Sequence, residues 1–496
     1  MPLTPNAIYE DYINNELDKT FAIELLKTLI ENTENIETRL ESIRIFDKLP
    51  FMDDVNFKFL EHILISDLNK EIKILTCKVL KNHYLGKALA PISWLLEHEK
   101  SLKCIVTAIS VISEIDTYES KSILVEKIKK LSKKESKYDF KEILKTRKLE
   151  DFYIQDLADI LLNYYLISFL KIKFGYIKYE LDDSGCITKL DLSNVDPQGI
   201  SLPNLLDLIF SLKHLRFFDL RFNHLIKLSE ISNESDSIIS LDLSYNNLIN
   251  LTHSIKKLKT LKILNLKSNR LRSLPKSVGN LYSLEVLNLR NNLLAKIPES
   301  LKSLQKLKVL DLHGNKLKSI DLKLYNSIRE LELGWNNLLE FPSSIKSLTS
   351  LEKLGISGNK LKKIPKWIGS LNQLKELELY DNSIEELPQS LGSVTTLQKL
   401  NLRNNHLKTL PSSFIFLKSL KYLNLSWNNF TSLPEWIGSL SALEELNLWG
   451  NRLGTLPYSI TTLSSLKVLD LNFNKFERLP PFLKELESKN GLIIKL

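Results

Sequence analysis

Along residues 187 to 486, leucines and isoleucines fall in a fixed order separated by polar positions. Leu284, Leu287, Leu289, Asn292, Leu294, Ile297, Pro298, Leu301 and Leu304 set the order, and Leu397, Leu400, Leu402, Asn405, Leu407, Leu410, Pro411, Phe414 and Leu417 repeat it. Asparagines mark the phase: Asn223, Asn246, Asn269, Asn292, Asn315, Asn336, Asn359, Asn382, Asn405, Asn428, Asn451 and Asn474. Every step is 23 residues except Asn315 to Asn336, which is 21. Copies held in phase over this length are an internal repeat, and a repeat of this period fixes the architecture before any other feature is weighed.

Leucines two apart, such as Leu287 and Leu289, place both side chains on one face of a short strand, and that face must be buried. The asparagine amide both donates and accepts, so stacked copies predict a ladder joining turn to turn. The second half of each unit, Leu-Pro followed by apolar residues three apart, predicts a short helix or helical turn. Proline suits its start because the missing N–H is not needed there. A single unit cannot bury its own leucines, so stability comes from stacking.

These residues resemble the leucine-rich-repeat family, in the 23-residue class of Ras-suppressor-like and plant Ras-group proteins. The resemblance covers about residues 187 to 486. It implies an α/β solenoid of about 13 repeats, with a curved parallel sheet on the concave side and helical turns on the convex side. It further implies a non-catalytic scaffold or adaptor in signalling, with a protein partner of the small-GTPase or phosphatase kind.

Departures from the pattern suggest how the array begins and bends. Val195 stands where the first asparagine is expected, which reads as a capping repeat. Just before it, Asp182-Asp183-Ser184-Gly185 between apolar-alternating segments predicts a hairpin, so residues 175–186 are assigned to a β-hairpin cap and 187–496 to the repeats. Leu492 to Leu496 suits a closing strand. In the 21-residue unit Asp321 replaces the usual proline, and a local change of curvature is expected there.

Residues 1–174 carry helical periodicity with short polar breaks and form an all-α domain. Thr38-Arg39-Leu40 to Phe46, Ile72-Lys73-Ile74 to Leu80, and Leu102-Lys103-Cys104 to Ser110 each set a basic residue before an apolar helix face. This spacing is similar to HEAT-type helical repeats; a non-repetitive helical bundle fits the same residues.

Composition narrows the setting. Over 496 residues, 43% hydrophobic and 26% charged content is that of a folded protein. Met1 to Thr20 shows no secretory pattern. The longest apolar run, Ile160 to Leu170, is broken by Asn163 and is about half of a bilayer span. Three scattered cysteines, Cys77, Cys104 and Cys186, make no disulfide framework. A cytoplasmic location is the expectation.

The net charge is +9, yet residues 1–180 hold 27 basic and 29 acidic side chains, so the excess belongs to the repeats. Much of it follows the asparagines: Arg270, Arg272, Lys316, Lys318, Lys360, Lys362, Lys363, His406, Lys408, Arg452 and Lys475, interrupted by Glu385 and Glu386. Such an edge suits nucleic acid or an anionic membrane, or is simply solvated.

Positions free of packing duty are the residue between the paired leucines and the two before the asparagine, which face the concave side. The first column reads Asp219, Asp242, Asn265, Asn288, Asp311, Glu332, Gly355, Glu378, Asn401, Asn424, Asn447 and Asp470. Beside it stand Arg221, Lys267, Arg290, His313 and Arg403, which predicts charge pairing across strands. Trp335, Tyr380, Trp427, Trp449 and Phe473, with Phe222 and Tyr245, occupy the other positions and suit a binding hot spot. Trp367 and Trp436 follow the proline and suit packing. The partner-binding set is therefore Trp335, Tyr380, Trp427, Trp449, Phe473, Arg290, Arg403, Glu332 and Glu378.

Catalytic motifs were sought. Gly86-Lys87 lacks the rest of a phosphate loop, and no His-Glu-x-x-His or Gly-x-Ser-x-Gly occurs. Cys77, His83 and Cys104 match no zinc spacing. Neither an enzyme nor a metal, cofactor or small-molecule substrate is expected.

Overall fold

The computed structural model describes residues 4–50, 53–134, 148–321, 327–483, 486 and 491–496. Two compact units divide it, Met1–Thr188 and Lys189–Leu496.

The first unit is helical as far as residue 174. Among the described residues its helices are α1 (Pro5–Ile13), α2 (Lys19–Asn32), α3 (Ile36–Phe46), α4 (Asp54–Ser66), α5 (Lys70–Tyr84), α6 (Leu89–His98), α7 (Leu102–Ile115), α8 (Tyr118–Lys134) and α9 (Ile154–Phe174). The polar breaks in the sequence are helix starts: Thr4, Asp18, Asn35, Asp53 and Asn69 each accept a hydrogen bond from a first-turn N–H. This satisfies donors that have no partner within the helix. α2 packs on α3, α4 on α5 and α6 on α7, while α3, α5 and α7 pack on one another in turn.

The three segments with related sequences are these alternate helices. Arg39 of α3 pairs with Asp67 ahead of α5, and Lys73 of α5 pairs with Glu99 ahead of α7 at 3.1 Å. Lys103 of α7 reaches back to Glu71 instead, at 3.6 Å.

Cys77 and Cys104 are buried, and burial pushes the Cys77 thiol up to about 12. His83 is engaged elsewhere, bonding the Asp47 carbonyl at 2.9 Å and its carboxylate at 3.0 Å. No described helix is long and apolar enough to cross a membrane. Asn163, which interrupts the apolar run, is buried and accepts from the Ile187 N–H at 3.0 Å. β1 (Lys178–Leu181) and β2 (Ile187–Asp191) flank a turn closed by the Asp182 N–H on the Cys186 carbonyl at 2.9 Å.

In the second unit the chain repeats one cycle of strand, turn and return segment. From the end of β2 the strands follow in chain order: β3 (Phe217–Asp219), β4 (Ser240–Asp242), β5 (Ile263–Asn265), β6 (Val286–Asn288), β7 (Val309–Asp311), β8 (Glu330–Glu332), β9 (Lys353–Gly355), β10 (Glu376–Glu378), β11 (Lys399–Asn401), β12 (Tyr422–Asn424), β13 (Glu445–Asn447), β14 (Val468–Asp470) and β15 (Ile493–Lys495). Each pair is parallel, with the central leucines in register, as Leu264 on Leu287 and Leu400 on Leu423. These leucines are fully buried, each contributing about 1.5–3 kcal/mol. The C-terminal residues do form a closing strand, β15 on β14.

Among the described residues the segment between β2 and β3 is an α-helix, Pro203–Phe210, and nine later return segments are five-residue 3-10 helices such as Glu299–Ser303 and Ser412–Phe416, which bury their third residues, Leu301 and Phe414. Proline stands at the start of the return segment, as expected. It precedes the helix in extended backbone, as Pro298 with ψ 143 does, rather than forming its first turn.

All twelve phased asparagines use both ends of the amide. Asn292 Oδ1 accepts from the buried Leu271 N–H at 3.0 Å, while its Nδ2 donates to the Leu266 carbonyl at 2.9 Å and the Leu289 carbonyl at 3.0 Å. Asn223 to Asn451 are buried, and Asn474, on the last rung, is half-buried. The 21-residue unit does not interrupt this ladder. Asn336 still reaches the Leu312 carbonyl at 3.0 Å, and Val309 still pairs with Glu330. The expected irregularity at residues 322–326 lies outside the described residues, and the sheet register passes it unchanged.

Replacing Asn292 with alanine tests the ladder. The Leu266 and Leu289 carbonyls keep the amides of Asn269 and Asn315, but the Leu271 N–H is orphaned. Urea unfolding should show a loss of about 1–3 kcal/mol; a loss below about 0.5 kcal/mol, the scale of an ordinary surface substitution, would show that the ladder is not what joins the repeats.

Candidate functional site

The asparagine ladder dictates the chemistry of the open sheet face. Ladder amides occupy the carbonyl at the end of each strand: Leu243, for example, accepts from both Asn246 and Asn269. The N–H two places before each ladder asparagine then needs another acceptor. In nine strands the residue between the leucines provides it. Asp219, Asp242, Asn265, Asn288, Asp311, Asn401, Asn424, Asn447 and Asp470 each accept, through a side-chain oxygen, from the N–H two residues on, at 2.9–3.2 Å. Only a short Asp or Asn side chain closes this ring.

The polar column is therefore largely committed to its own backbone, and the expected charge pairing across strands is limited to Arg221, whose Nε lies 3.9 Å from Asp242 on the next strand. Arg221 chelates Asp219 on its own strand, at 2.7 Å from Nη2. Arg290 and Arg403 have no ion-pair partner among the described residues, and of the two only Arg403 is well exposed.

Three consecutive strands break the rule. β8, β9 and β10 carry Glu332, Gly355 and Glu378 at that position. The two glutamates turn sideways to lysines, Glu332 to Lys353 at 3.1 Å and Glu378 to Lys399 at 2.8 Å. Burial pushes the Asp311 and Glu332 carboxyls above their ordinary range. His313, facing the same patch, is held down to about 4 by burial and by Arg290.

The residue immediately before each ladder asparagine is left-handed in every repeat, from Phe222 (φ 59) to Phe473 (φ 55). Glycine, asparagine, aspartate and serine fill seven of these positions, as the conformation favours, but Phe222, Tyr245, Trp335, Trp427 and Phe473 fill five. A bulky L-residue there costs about 1–2 kcal/mol. Burial does not offset it, since Trp335 is 52% exposed and Phe473 78%.

The aromatic residues fall into separate groups rather than one run. Trp427 meets Trp449 edge-on at 5.0 Å, and Trp449 meets Phe473 at 5.8 Å. Trp335 lies alone against bare Gly358, where an added Cβ would meet the indole at 2.7 Å. Tyr380 is half-buried, with no ring partner among the described residues. At the other end Phe222 stacks on Tyr245 at 4.5 Å, and Lys267 lies over the Tyr245 ring. Trp367 and Trp436 pack edge-on against Phe341 and Phe414 at the return segments.

The two edges of the sheet differ in charge. On the entry side, Glu285 bridges Lys262 and Lys308, Glu352 bridges Arg329 and Lys375, and Glu444 bridges Lys421 and Lys467. These triplets were legible as a charged residue seven places before the asparagine in ten of the twelve repeats, Ile239 and Gln398 being the exceptions, but sequence reasoning missed them. On the exit side the eleven basic residues after the asparagines are exposed, and Lys363, paired with Glu386 at 3.7 Å, is the only one with an ion pair among the described residues.

His313 predicts a pH dependence. Its folded pKa, about 4, lies below the ordinary 6.5, so protons bind the unfolded chain more readily across that interval. Stability should be fully present above about pH 6.5 and should fall as pH drops toward 4. Urea midpoints of wild type and His313→Gln, measured across this window, should show the histidine-dependent part of the fall only in wild type.

Family models match the second unit in several places. One described as "Leucine-rich repeat region" covers residues 366–452, "Leucine rich repeat" covers 259–317, and "Leucine Rich Repeat" covers 350–371, 442–463 and 465–486. No curated protein matches the chain. Among solved structures, a leucine-rich-repeat protein of Leptospira interrogans is similar at 29% identity, over 66% of this chain and 94% of its own, with a TM-score of 0.49. An internalin of Listeria monocytogenes is similar at 22% identity, over 62% of this chain and 86% of its own, with a TM-score of 0.49. The repeated strand, asparagine rung and 3-10 return, with the family models matched along them, give the second unit a leucine-rich-repeat fold.

Proposed function

We propose that the chain is a non-catalytic scaffold that holds a protein partner on the open face of the sheet, anchored by Trp427, Trp449 and Phe473. The observation that carries this is an expensive placement at Trp427 and Phe473, exposed aromatic rings on left-handed backbone where glycine or asparagine would hold the same turn at lower cost, with half-buried Trp449 packed between them. Exposed tryptophans grouped on a rigid sheet are the kind of residue that dominates binding energy. Arg290, Arg403, Glu332, Glu378, Trp335 and Tyr380 lie on the same face and extend the surface. The stack of α3, α5 and α7 supports a HEAT-like reading of the helical unit. The small-GTPase or phosphatase assignment rests on resemblance to the Ras-suppressor-like class, and a cytoplasmic location goes with it.

The test is capture of partners from lysate of the source cells by the full chain and by the Trp427→Ala/Trp449→Ala variant. The variant should lose the captured protein while its Tm stays near that of wild type. Retained capture would remove these tryptophans as the anchor.

A second reading is favoured by the exit edge, where basic side chains other than Lys363 stand exposed without ion pairs among the described residues. It makes this edge an electrostatic contact for nucleic acid or an anionic membrane. Binding to duplex DNA or to phosphatidylserine vesicles should then weaken steeply between 50 and 200 mM salt, by about 10³-fold or more if six phosphates are met. Salt-insensitive binding, or none, would dismiss it.

A further inference from the structure

Serine occurs three times at the position two places before a ladder asparagine, and the three differ in one respect. Ser244 and Ser426 give both their N–H and their hydroxyl to the residue between the leucines, Asp242 at 2.9 and 2.6 Å and Asn424 at 3.0 and 2.6 Å. Ser357 is equally buried, at 3% exposure, but the residue it would use is Gly355. Among the described residues neither its N–H nor its hydroxyl has a partner.

The neighbouring strands are altered in the same way. Because Glu332 and Glu378 replace the short capping side chain, the N–H groups of Gly334 and Tyr380 also lack acceptors among the described residues. The three donors lie on successive strands, about 4.8 Å apart. Gly334 brings these groups close together: a Cβ there would meet the Ser357 hydroxyl and His313 Nδ1, each at 2.8 Å, and one on Gly355 would meet the Glu332 carboxylate, which a ligand must displace. Beside Gly355 in register stands Glu378, whose Oε2 is buried with no hydrogen-bond partner.

We propose that this notch on β8–β10 recognises a neutral carboxamide of the bound protein, either a main-chain peptide group or the side chain of asparagine or glutamine. The proposal rests on reading the open face as a protein-binding surface. The unmet groups choose the ligand. Four donors require an acceptor, which a cation cannot supply, and the glutamates already hold Lys353 and Lys399. An anion would meet the donors but sit against Asp311, Glu332 and Glu378. A carboxamide offers its oxygen to Ser357 and its N–H to Glu378 without bringing charge. Buried donors left without acceptors are unfavourable, and such sites are where a stabilising substitution removes function.

Amide-detected NMR of the full chain tests this with four small probes. N-methylacetamide represents the peptide group, propionamide the Asn or Gln side chain, acetate an anion and methylammonium a cation. Without a probe, the Ser357 amide should exchange with solvent faster than those of Ser244 and Ser426, on the order of tenfold or more. One or both amides should shift the Gly334, Ser357 and Tyr380 signals saturably, and the stronger identifies the source; acetate and methylammonium should not.

Gly355→Asn restores the missing cap, with the flexible Glu332 carboxylate swinging aside. It should raise the Tm and abolish the shifts. Ser357→Ala, which leaves the fold undisturbed, should weaken them. Equal protection of the three serines, a response to acetate as strong as to the amides, no saturable response, or shifts retained in Gly355→Asn would each overturn the proposal. If the notch fails while the Trp427→Ala/Trp449→Ala variant loses its captured protein, the scaffold reading stands without it.

Discussion

One amide governs the repeat array. By accepting from a buried N–H in the preceding turn and donating to two strand-end carbonyls, each ladder asparagine joins neighbouring repeats and fixes the backbone ahead of itself. Two consequences follow in the same turn. The N–H two places earlier leaves the strand ladder and needs an Asp or Asn side chain. The residue one place earlier is forced left-handed. The open face is thus set by hydrogen-bond accounting before any partner is considered.

That accounting tells structure from function. A position whose duty recurs in every repeat has an expected residue type, and a departure is informative because the same turn is solved more cheaply elsewhere in the same molecule. Trp427 on left-handed backbone is compared with Gly450 in the next repeat, and Ser357 with Ser244 and Ser426. In each case the backbone is the same and only the side-chain satisfaction differs. Stability in a stacked array is a sum over repeats and their interfaces, so a few imperfect rungs weaken the array locally while the others hold the strands.

Leucine spacing and asparagine phase were enough to read the strands, their order and the ladder positions, because burial and stacking leave a period in the sequence. Other features were harder to see for identifiable reasons. The acidic and amide column looked like surface charge because an Asx ring is closed two residues away and leaves no long-range pattern. The left-handed positions are silent in hydrophobicity, although seven of them hold Gly, Asn, Asp or Ser, a signal of turn chemistry rather than of burial. The shortened unit keeps its register, since the two missing residues fall outside the strand and rung.

Affinity and selectivity are separable on this face. The ring cluster begins in the repeat of β12, two strands beyond β10, which is about 10 Å across a parallel sheet. About three residues of extended chain cover that distance, so one short segment of the proposed partner would reach both. Aromatic contacts there supply area and tolerate many apolar side chains. A row of unmet donors does not, because a ligand lacking the matching acceptor leaves them buried and unpaired. On the proposed reading, the Trp427–Trp449–Phe473 cluster toward one end and the altered caps of β8–β10 in the middle give a repeat array, otherwise uniform along its length, a direction and a register in which to read a partner.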